Sequence, residues 1–423
     1  MPARGPALPD PIPLEEAAAR LRARWGPRCG TTTVPLAAAA GRVLVAPARL
    51  DRDEPPWPRS AMDGFAMRSA EGAAPRREVG AAPAGRAAAP ALERGDCVRV
   101  MTGGLVPAGA DCVVPRERVR RDAEGRVVPE AAPRPGEHVR AAGELGRAGA
   151  EVLAAGRRIG AGELAVLAGC GADPVPVFAR PRLAVVATGD EVVPWTETPR
   201  VEQVRDANRP ALGALALAAG AAPVSSRLVA DDPAALAAAL EAALAAADLV
   251  VTVGGVSMGD HDHLPRLLPR LGVEPLFHRV RIQPGKPVWL GRRGADGPWV
   301  LGLPGNPVSA FVVFALLGVP LLRVLGGEAD VPLPTPHLPG TAAAPVRSGA
   351  RPLWRPARLE ACDGAPPRVR PLGWTGSGDW TALAGADALL HLPPRSEVAA
   401  GGAVLWQPLP PPVLLPTFAP APR

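Results

Sequence analysis

Leu183-Ala184-Val185-Val186-Ala187-Thr188-Gly189-Asp190-Glu191 and Leu249-Val250-Val251-Thr252-Val253-Gly254-Gly255 follow one pattern, a short apolar run that closes on a polar turn containing glycine. Runs this short and this apolar suit strands of a sheet core. Helix-like stretches at 209–219 and 233–246 lie between the two runs, and a third run, Trp299-Val300-Leu301-Gly302, ends in Leu303-Pro304-Gly305-Asn306-Pro307. Strands alternating with helices indicate a parallel α/β sheet. Ligands of such sheets bind beyond the carboxyl ends of the strands, so the three turns are expected to line one edge. Gly254, Gly255, Gly305 and their neighbours Ser257 and Asn306 would let backbone N–H groups approach a phosphate, and a helix starting near Pro307 would add the positive end of its dipole. Glu191, Asp260 and Asp262 offer the oxygen ligands that Mg²⁺ prefers. The string Asp260-His261-Asp262-His263 is expected to be a solvated loop, because alternate residues of a loop seldom converge on one ion.

Outward from this core, residues 14–25 place leucine and alanine at helical spacing with Gly26-Pro27 as a stop. Residues 53–139 hold short apolar runs broken by glycine and proline, the pattern of an inserted β-rich domain. Helical spacing returns over 150–170 (Leu153, Ile159, Leu164, Val166, Leu167), and beyond 328 the chain has strand-like runs with no long helical pattern. The fold expected is a multidomain α/β protein: a helical/β N-terminal domain over 1–52 and 140–180, an inserted β-rich domain over 53–139, a central parallel α/β domain over 181–328 and a C-terminal β domain over 329–423. A chain of 423 residues is too long for one ordinary core, which agrees with several domains.

Composition narrows the function. The chain has 47 cationic side chains and a net charge of +6, yet only one lysine, Lys286 in Gln283-Pro284-Gly285-Lys286-Pro287; it has no tyrosine and two asparagines, Asn208 and Asn306. A GC-rich gene turns free choices of cation into arginine, so a retained lysine points to a site that needs a compact point charge instead of a planar fork. The cations are scattered, without the basic run or interleaved aromatics that would track nucleic acid, which leaves an anionic small molecule as the expected ligand. Cys29, Cys97, Cys112, Cys170 and Cys362 are odd in number and widely spaced, a pattern of core residues more than of disulfides or zinc. Met1-Pro2-Ala3-Arg4-Gly5 has no charged-then-apolar signal, and no apolar run of about 18 residues is expected to span a bilayer, so the reading is cytoplasmic.

Taken in order, Ser60-Ala61-Met62-Asp63-Gly64, Met101-Thr102-Gly103, Pro107-Ala108-Gly109-Ala110-Asp111, Thr188-Gly189-Asp190-Glu191, Asp206-Ala207-Asn208-Arg209, Gly254-Gly255-Val256-Ser257, Pro284-Gly285-Lys286-Pro287 and Leu303-Pro304-Gly305-Asn306-Pro307 resemble the molybdopterin molybdenumtransferase family, related to the E domain of gephyrin. The resemblance covers most of the chain. It implies insertion of molybdate into adenylylated molybdopterin with release of AMP, and a homodimer in which Asp63 and Thr102 act on the partner's sheet domain. It further implies Mg²⁺ on Glu191 and Asp262, with Asp231 serving the ion and the phosphate. Lys286, Ser309, Ser377 and a C-terminal-domain arginine would form the molybdate pocket; Arg355 is the matching arginine and Arg351 the alternative. Contact with the adenylyltransferase of the preceding step is a further implication.

This chain departs from the family pattern at three positions: Leu145 stands for an acid, Gln283 for a lysine, and Arg279 for a lysine with its charge kept. A non-catalytic molybdopterin-binding or scaffold paralogue is therefore a second reading. An adenylyltransferase of the preceding step is a third, and the inserted and C-terminal domains argue against it.

Overall fold

Side chains of a strand alternate between its faces, so a run apolar at every position needs a covering layer on both. The computed structural model, which describes residues 10–27, 29–86, 91–256, 263–333, 337–360 and 366–410, supplies those layers. Leu183, Val185 and Ala187 pack with Leu249, Val251 and Val253 and with Leu212 and Leu215 of the helix Asn208–Ala218. Ala184, Val186 and Val250 face the other way, onto Leu236, Leu240 and Leu244 of the helix Pro233–Ala246. The sheet has six strands in the order Ala222–Val229, Arg182–Thr188, Leu249–Val253, Trp299–Leu303, Trp289–Arg293, Val273–His278.

The first four strands are parallel, as expected, and two further strands extend the sheet antiparallel. Arg293 N–H donates to the Pro298 carbonyl at 3.0 Å, closing a tight turn into Trp299. A reversal that short can only pair antiparallel. The edge strand escaped the reading because Glu274 and Pro275 break its apolar pattern.

Pro307–Leu325 is a continuous 19-residue helix, apolar and long enough to cross a bilayer, which corrects the expectation that the chain has no such run. Its side chains are mostly buried: Val312, Val313, Phe314, Leu317, Leu321 and Leu322 join the central core. A helix that is apolar all round belongs inside either a large core or a membrane, and here protein already surrounds it. The helix widens to a π turn over Phe314–Gly318. Pro320 offers no N–H to the carbonyl four residues back and its ring crowds that oxygen, so the winding loosens there.

The first helix runs from Leu14 to Arg22 with Glu15 and Glu16 in its first turn and Arg20 and Arg22 in its last, the order that suits its dipole. Its apolar stripe Leu14, Ala17, Ala18, Leu21 joins the core of the central sheet beside Phe277 and Val280. Helical spacing over 150–170 is only partly realised. Glu151–Leu153 is a strand and the helix starts at Ala161, because Gly156 turns the chain at φ +75° and Gly160 stands at the helix start, its N–H bonded to Glu163 at 2.9 Å.

Residues inserted between these pieces build a four-stranded sheet in the order Arg77–Ala82, Asp96–Val100, Gly64–Met67, Cys112–Pro115. The C-terminal strands Leu338–Ala342, Arg368–Pro371, Leu353–Glu360, Ala388–Leu392 and Ala403–Pro408 close into a barrel in that order. Cys97, Cys112 and Cys170 are buried and Cys29 half-buried, while Cys362 lies outside the described residues. Burial pushes the Cys97 and Cys112 thiols up to about 12, so both stay protonated.

Leu21 is fully buried, and Leu21→Ala is expected to destabilise the protein by about 2–5 kcal/mol. Differential scanning calorimetry should show the loss in the transition of the central sheet. An unshifted transition would mean that the first helix is not part of that core.

Candidate functional site

The parallel strands end together, and their turns enclose a cavity of about 1280 Å³ at the carboxyl edge of the sheet. Its floor carries two glycines at positive φ, one of which leaves no room for a side chain. Gly254 and Gly255 have φ of +89° and +63°, and a Cβ on Gly254 would lie 2.6 Å from the Thr188 carbonyl oxygen. Gly254 N–H donates to the Leu303 carbonyl at 3.1 Å, so the second and third turns touch at the same point.

Each turn brings a polar group. After Thr188, the Asp190 carboxylate accepts the Asp231 N–H at 3.0 Å, and the Thr188 hydroxyl donates to Asp231 Oδ1 at 3.3 Å. Glu191 folds back beside Gly189, where an added Cβ would meet Glu191 Oε2 at 2.8 Å. Glu191 and Asp231 both line the cavity. Among the described residues the Glu191 carboxylate has no hydrogen-bond or ion-pair partner, and Asp231 has only the Thr188 hydroxyl on its side chain. Two carboxylates with open lone pairs on one cavity wall offer the oxygen donors that a hard divalent cation takes. No group of three or more His, Cys, Asp or Glu side chains converges among the described residues. Ser257 and Asp262, with Asp260 and His261, lie outside them.

Asn306 precedes the long core helix, whose first turn carries Pro307 and the buried Ser309. Proline at the first helical position has no N–H to leave unpaired, and the positive end of the helix dipole favours an anion there. Asn306 Nδ2 donates to Ser377 Oγ at 2.9 Å and Val308 N–H to the Ser377 carbonyl at 3.1 Å, which joins the C-terminal domain to the cavity rim. On the opposite side Asn208 Nδ2 donates to the Gly305 carbonyl at 2.7 Å. Asp206, only 3% exposed, accepts the N–H groups of Asn208 and Arg209 at 3.0 and 3.1 Å and pairs with the Arg209 guanidinium. That carboxylate satisfies the unpaired donors at the start of the helix Asn208–Ala218.

The lysine loop adjoins the cavity through Pro287, while Lys286, Ser309 and Ser377 are not among the residues that line it. Lys286 is half-buried, and its carbonyl accepts the N–H groups of Val280 and Val288, each at 3.0 Å. Pro287 lines the cavity. Among the described residues the Lys286 ammonium has no ion-pair or hydrogen-bond partner. Gly285, at φ +104°, lies against the core helix so closely that a Cβ would meet Val313 at 2.3 Å. The C-terminal barrel grips this loop from outside: Gln283 N–H donates to Pro352 at 2.8 Å and Trp354 N–H to Gln283 at 2.7 Å.

The remaining candidates fall in different places. Arg279 has a φ of +70°, an uncommon state for a bulky residue, and is not among the cavity-lining residues. Arg355 donates twice to the Leu372 carbonyl, at 3.0 and 2.6 Å, and burial lowers its pKa. Arg351 donates to the Ile282 carbonyl at 2.8 Å, directly beside the lysine loop. Asp63 accepts the Thr102 N–H at 2.7 Å and the Thr102 hydroxyl at 2.9 Å; those bonds, the backbone one foremost, hold its carboxyl below the usual range. Both residues are exposed on the inserted domain, and neither lines the cavity of its own chain. The sequence reading assigned no role to Asn208, Asp206, Trp195 or Trp380, which contribute to the rim. Asn208 carried a usable signal, since it is one of the chain's two asparagines.

Residues 12–171 match the MoeA N-terminal region (domain I and II), 184–324 the probable molybdopterin binding domain, and 339–409 the MoeA C-terminal region (domain IV). A molybdopterin molybdenumtransferase of Nostoc sp. is 38% identical over 307 residues, 71% of this chain and 70% of that protein. Molybdopterin molybdenumtransferase 2 of Mycobacterium tuberculosis is 35% identical over 401 residues, 88% of this chain and 94% of that protein. Among solved structures, the molybdopterin biosynthesis MoeA protein of Pyrococcus horikoshii superimposes with a TM-score of 0.76 at 29% identity, over 95% of this chain and 99% of that one. With all three regions matched in order around one glycine-floored cavity, the chain belongs to the molybdopterin molybdenumtransferase family.

Proposed function

We propose that this chain inserts molybdate into adenylylated molybdopterin and releases AMP. The observation that carries the reading is the unpartnered Lys286 loop beside a cavity built from three strand-end turns and the start of a buried helix. Molybdate is a dianion and the pterin substrate already carries phosphate, so charge neutralisation is the main physical task. Gly255, Ser257, Gly305 and Asn306 would bind phosphate through backbone N–H groups and the helix dipole, with Gly254, whose N–H is bonded to Leu303, setting the turn that presents them. Lys286, Ser309 and Ser377 would surround the molybdate oxygens as preorganised donors. Arg351 is favoured over Arg355 as their arginine, since Arg351 adjoins the lysine loop while both Arg355 bonds go to Leu372. Arg279 would add positive charge behind that loop.

Glu191 and Asp231, with Asp262, would hold Mg²⁺, which neutralises phosphate charge when bound. The four-domain division, 1–52 with 140–180, 53–139, 181–328 and 329–423, is part of this reading. So is a homodimer: Asp63 and Thr102 stay off the cavity of their own chain, which supports their acting on a second copy. A cytoplasmic location and contact with the preceding adenylyltransferase complete the proposal.

Two measurements test it. Losing a charge-assisted hydrogen bond costs about 1.5–3 kcal/mol, so Lys286→Ala should weaken molybdate use by on the order of tenfold to a hundredfold while adenylylated pterin still binds. Lys286→Arg should be nearly as impaired, because a planar fork does not fit a pocket shaped for a point charge. Insertion rate against molybdate concentration reads both variants, and a fully active arginine variant would remove the lysine from the mechanism. For the dimer, Asp63→Asn and Lys286→Ala should each be impaired alone, whereas mixed dimers should recover activity above that of either variant through one intact site. Mixed dimers that form and stay inactive would rule out action across the interface.

A further inference from the structure

Four of the nine tryptophans, Trp289, Trp299, Trp354 and Trp406, are buried, as an indole's large apolar surface favours. Trp195 and Trp380 are 51% and 61% exposed, and both line the one cavity that carries the proposed chemistry. We propose that these two side chains form an aromatic platform on which the flat nitrogen-heterocyclic ring of the cavity's phosphorylated ligand, a purine or a pteridine, stacks. This rests on the function proposed above and adds which residues recognise the ring.

Both rings are attached to a fixed frame. The Arg209 guanidinium stands over the Trp195 indole at 5.2 Å, and Arg209 is itself held by buried Asp206 and by the Ser226 carbonyl at 3.3 Å. A cation over a ring stabilises it by attraction to the ring face. Trp380 opens a short helical turn, its N–H donating to the Gly378 carbonyl at 3.0 Å. Asp379 ties that turn down by accepting the Thr375 N–H at 2.9 Å and the Thr381 hydroxyl. A hydrogen-bonded arc, Asn208 to Gly305 at 2.7 Å and Asn306 to Ser377 at 2.9 Å, links Asn208, the chain neighbour of Arg209, to Ser377, three residues before Trp380. The aromatic ends of this arc therefore flank the glycine turns that suit a phosphate. A ligand with both a flat ring and a phosphate satisfies both parts of the cavity, and aromatic stacking accepts either ring because each has a π face.

Isothermal titration calorimetry of the full chain with AMP, neopterin and ribose 5-phosphate tests this. Wild type should bind AMP, neopterin or both more tightly than the ringless ribose 5-phosphate. Trp195→Ala and Trp380→Ala should each weaken the ring-bearing probe by about tenfold and leave ribose 5-phosphate unchanged. Phenylalanine at either position should restore most of the loss. The probe whose affinity falls identifies the stacked ring as adenine or pterin. Alanine variants that bind AMP and neopterin like wild type would overturn the platform while leaving the proposed function standing. Loss of ribose 5-phosphate binding in the phenylalanine variants would also overturn it, because a structural role of the rings would then be the cause. Wild-type protein that binds none of the probes would defeat both proposals.

Discussion

The site depends on how closely three turns approach Gly254. Its N–H bonds the last residue of one strand, Leu303, while its Cα faces the carbonyl of Thr188 at the end of another. A side chain there would need to occupy space 2.6 Å from that oxygen, and the backbone's positive φ already disfavours one. Because the strands converge so tightly, the turns beyond them open outward into one cavity.

The C-terminal barrel completes that cavity. Through Gln283, Pro352 and Trp354 it holds the lysine loop, and through Ser377 it holds Asn306 at the start of the core helix. Trp354 and Leu389 belong to the same apolar cluster as the central sheet, so the barrel is joined to the sheet by a packed seam. His337 and His391 stack near Trp354 with ring centroids 4.5 Å apart, and burial, with the neighbouring His337, pushes His391 down to about 4. The imidazole of His391 is thus neutral at ordinary pH.

Much of this was legible in the chain itself. The runs at 183–187 and 249–253 became strands with those cores, the helices at 208–218 and 233–246 fell within a residue of their patterns, and Asn306-Pro307 did start a helix. Local chemistry decides such features: apolar periodicity, a proline at the first turn, glycine where φ is positive. The misreadings occurred where local signals conflicted with packing. Glu274 and Pro275 concealed an edge strand, Gly156 and Gly160 divided an apparent helix, and Pro307–Leu325 proved a 19-residue apolar helix that the core encloses.

By itself, the sequence determined the α/β core, the three glycine turns and Lys286 as the residue to examine, because each of these is set by side-chain size, charge or backbone freedom at one position. Tertiary structure alone decided which side chains share the cavity. Asn208 reaches Gly305 across 97 residues and Asn306 reaches Ser377 across 71. The two arginine candidates also separated only in space, Arg351 to the lysine loop and Arg355 to Leu372. Contacts at such separations depend on how sheet, helix and barrel pack against one another, and no spacing along the chain encodes that distance.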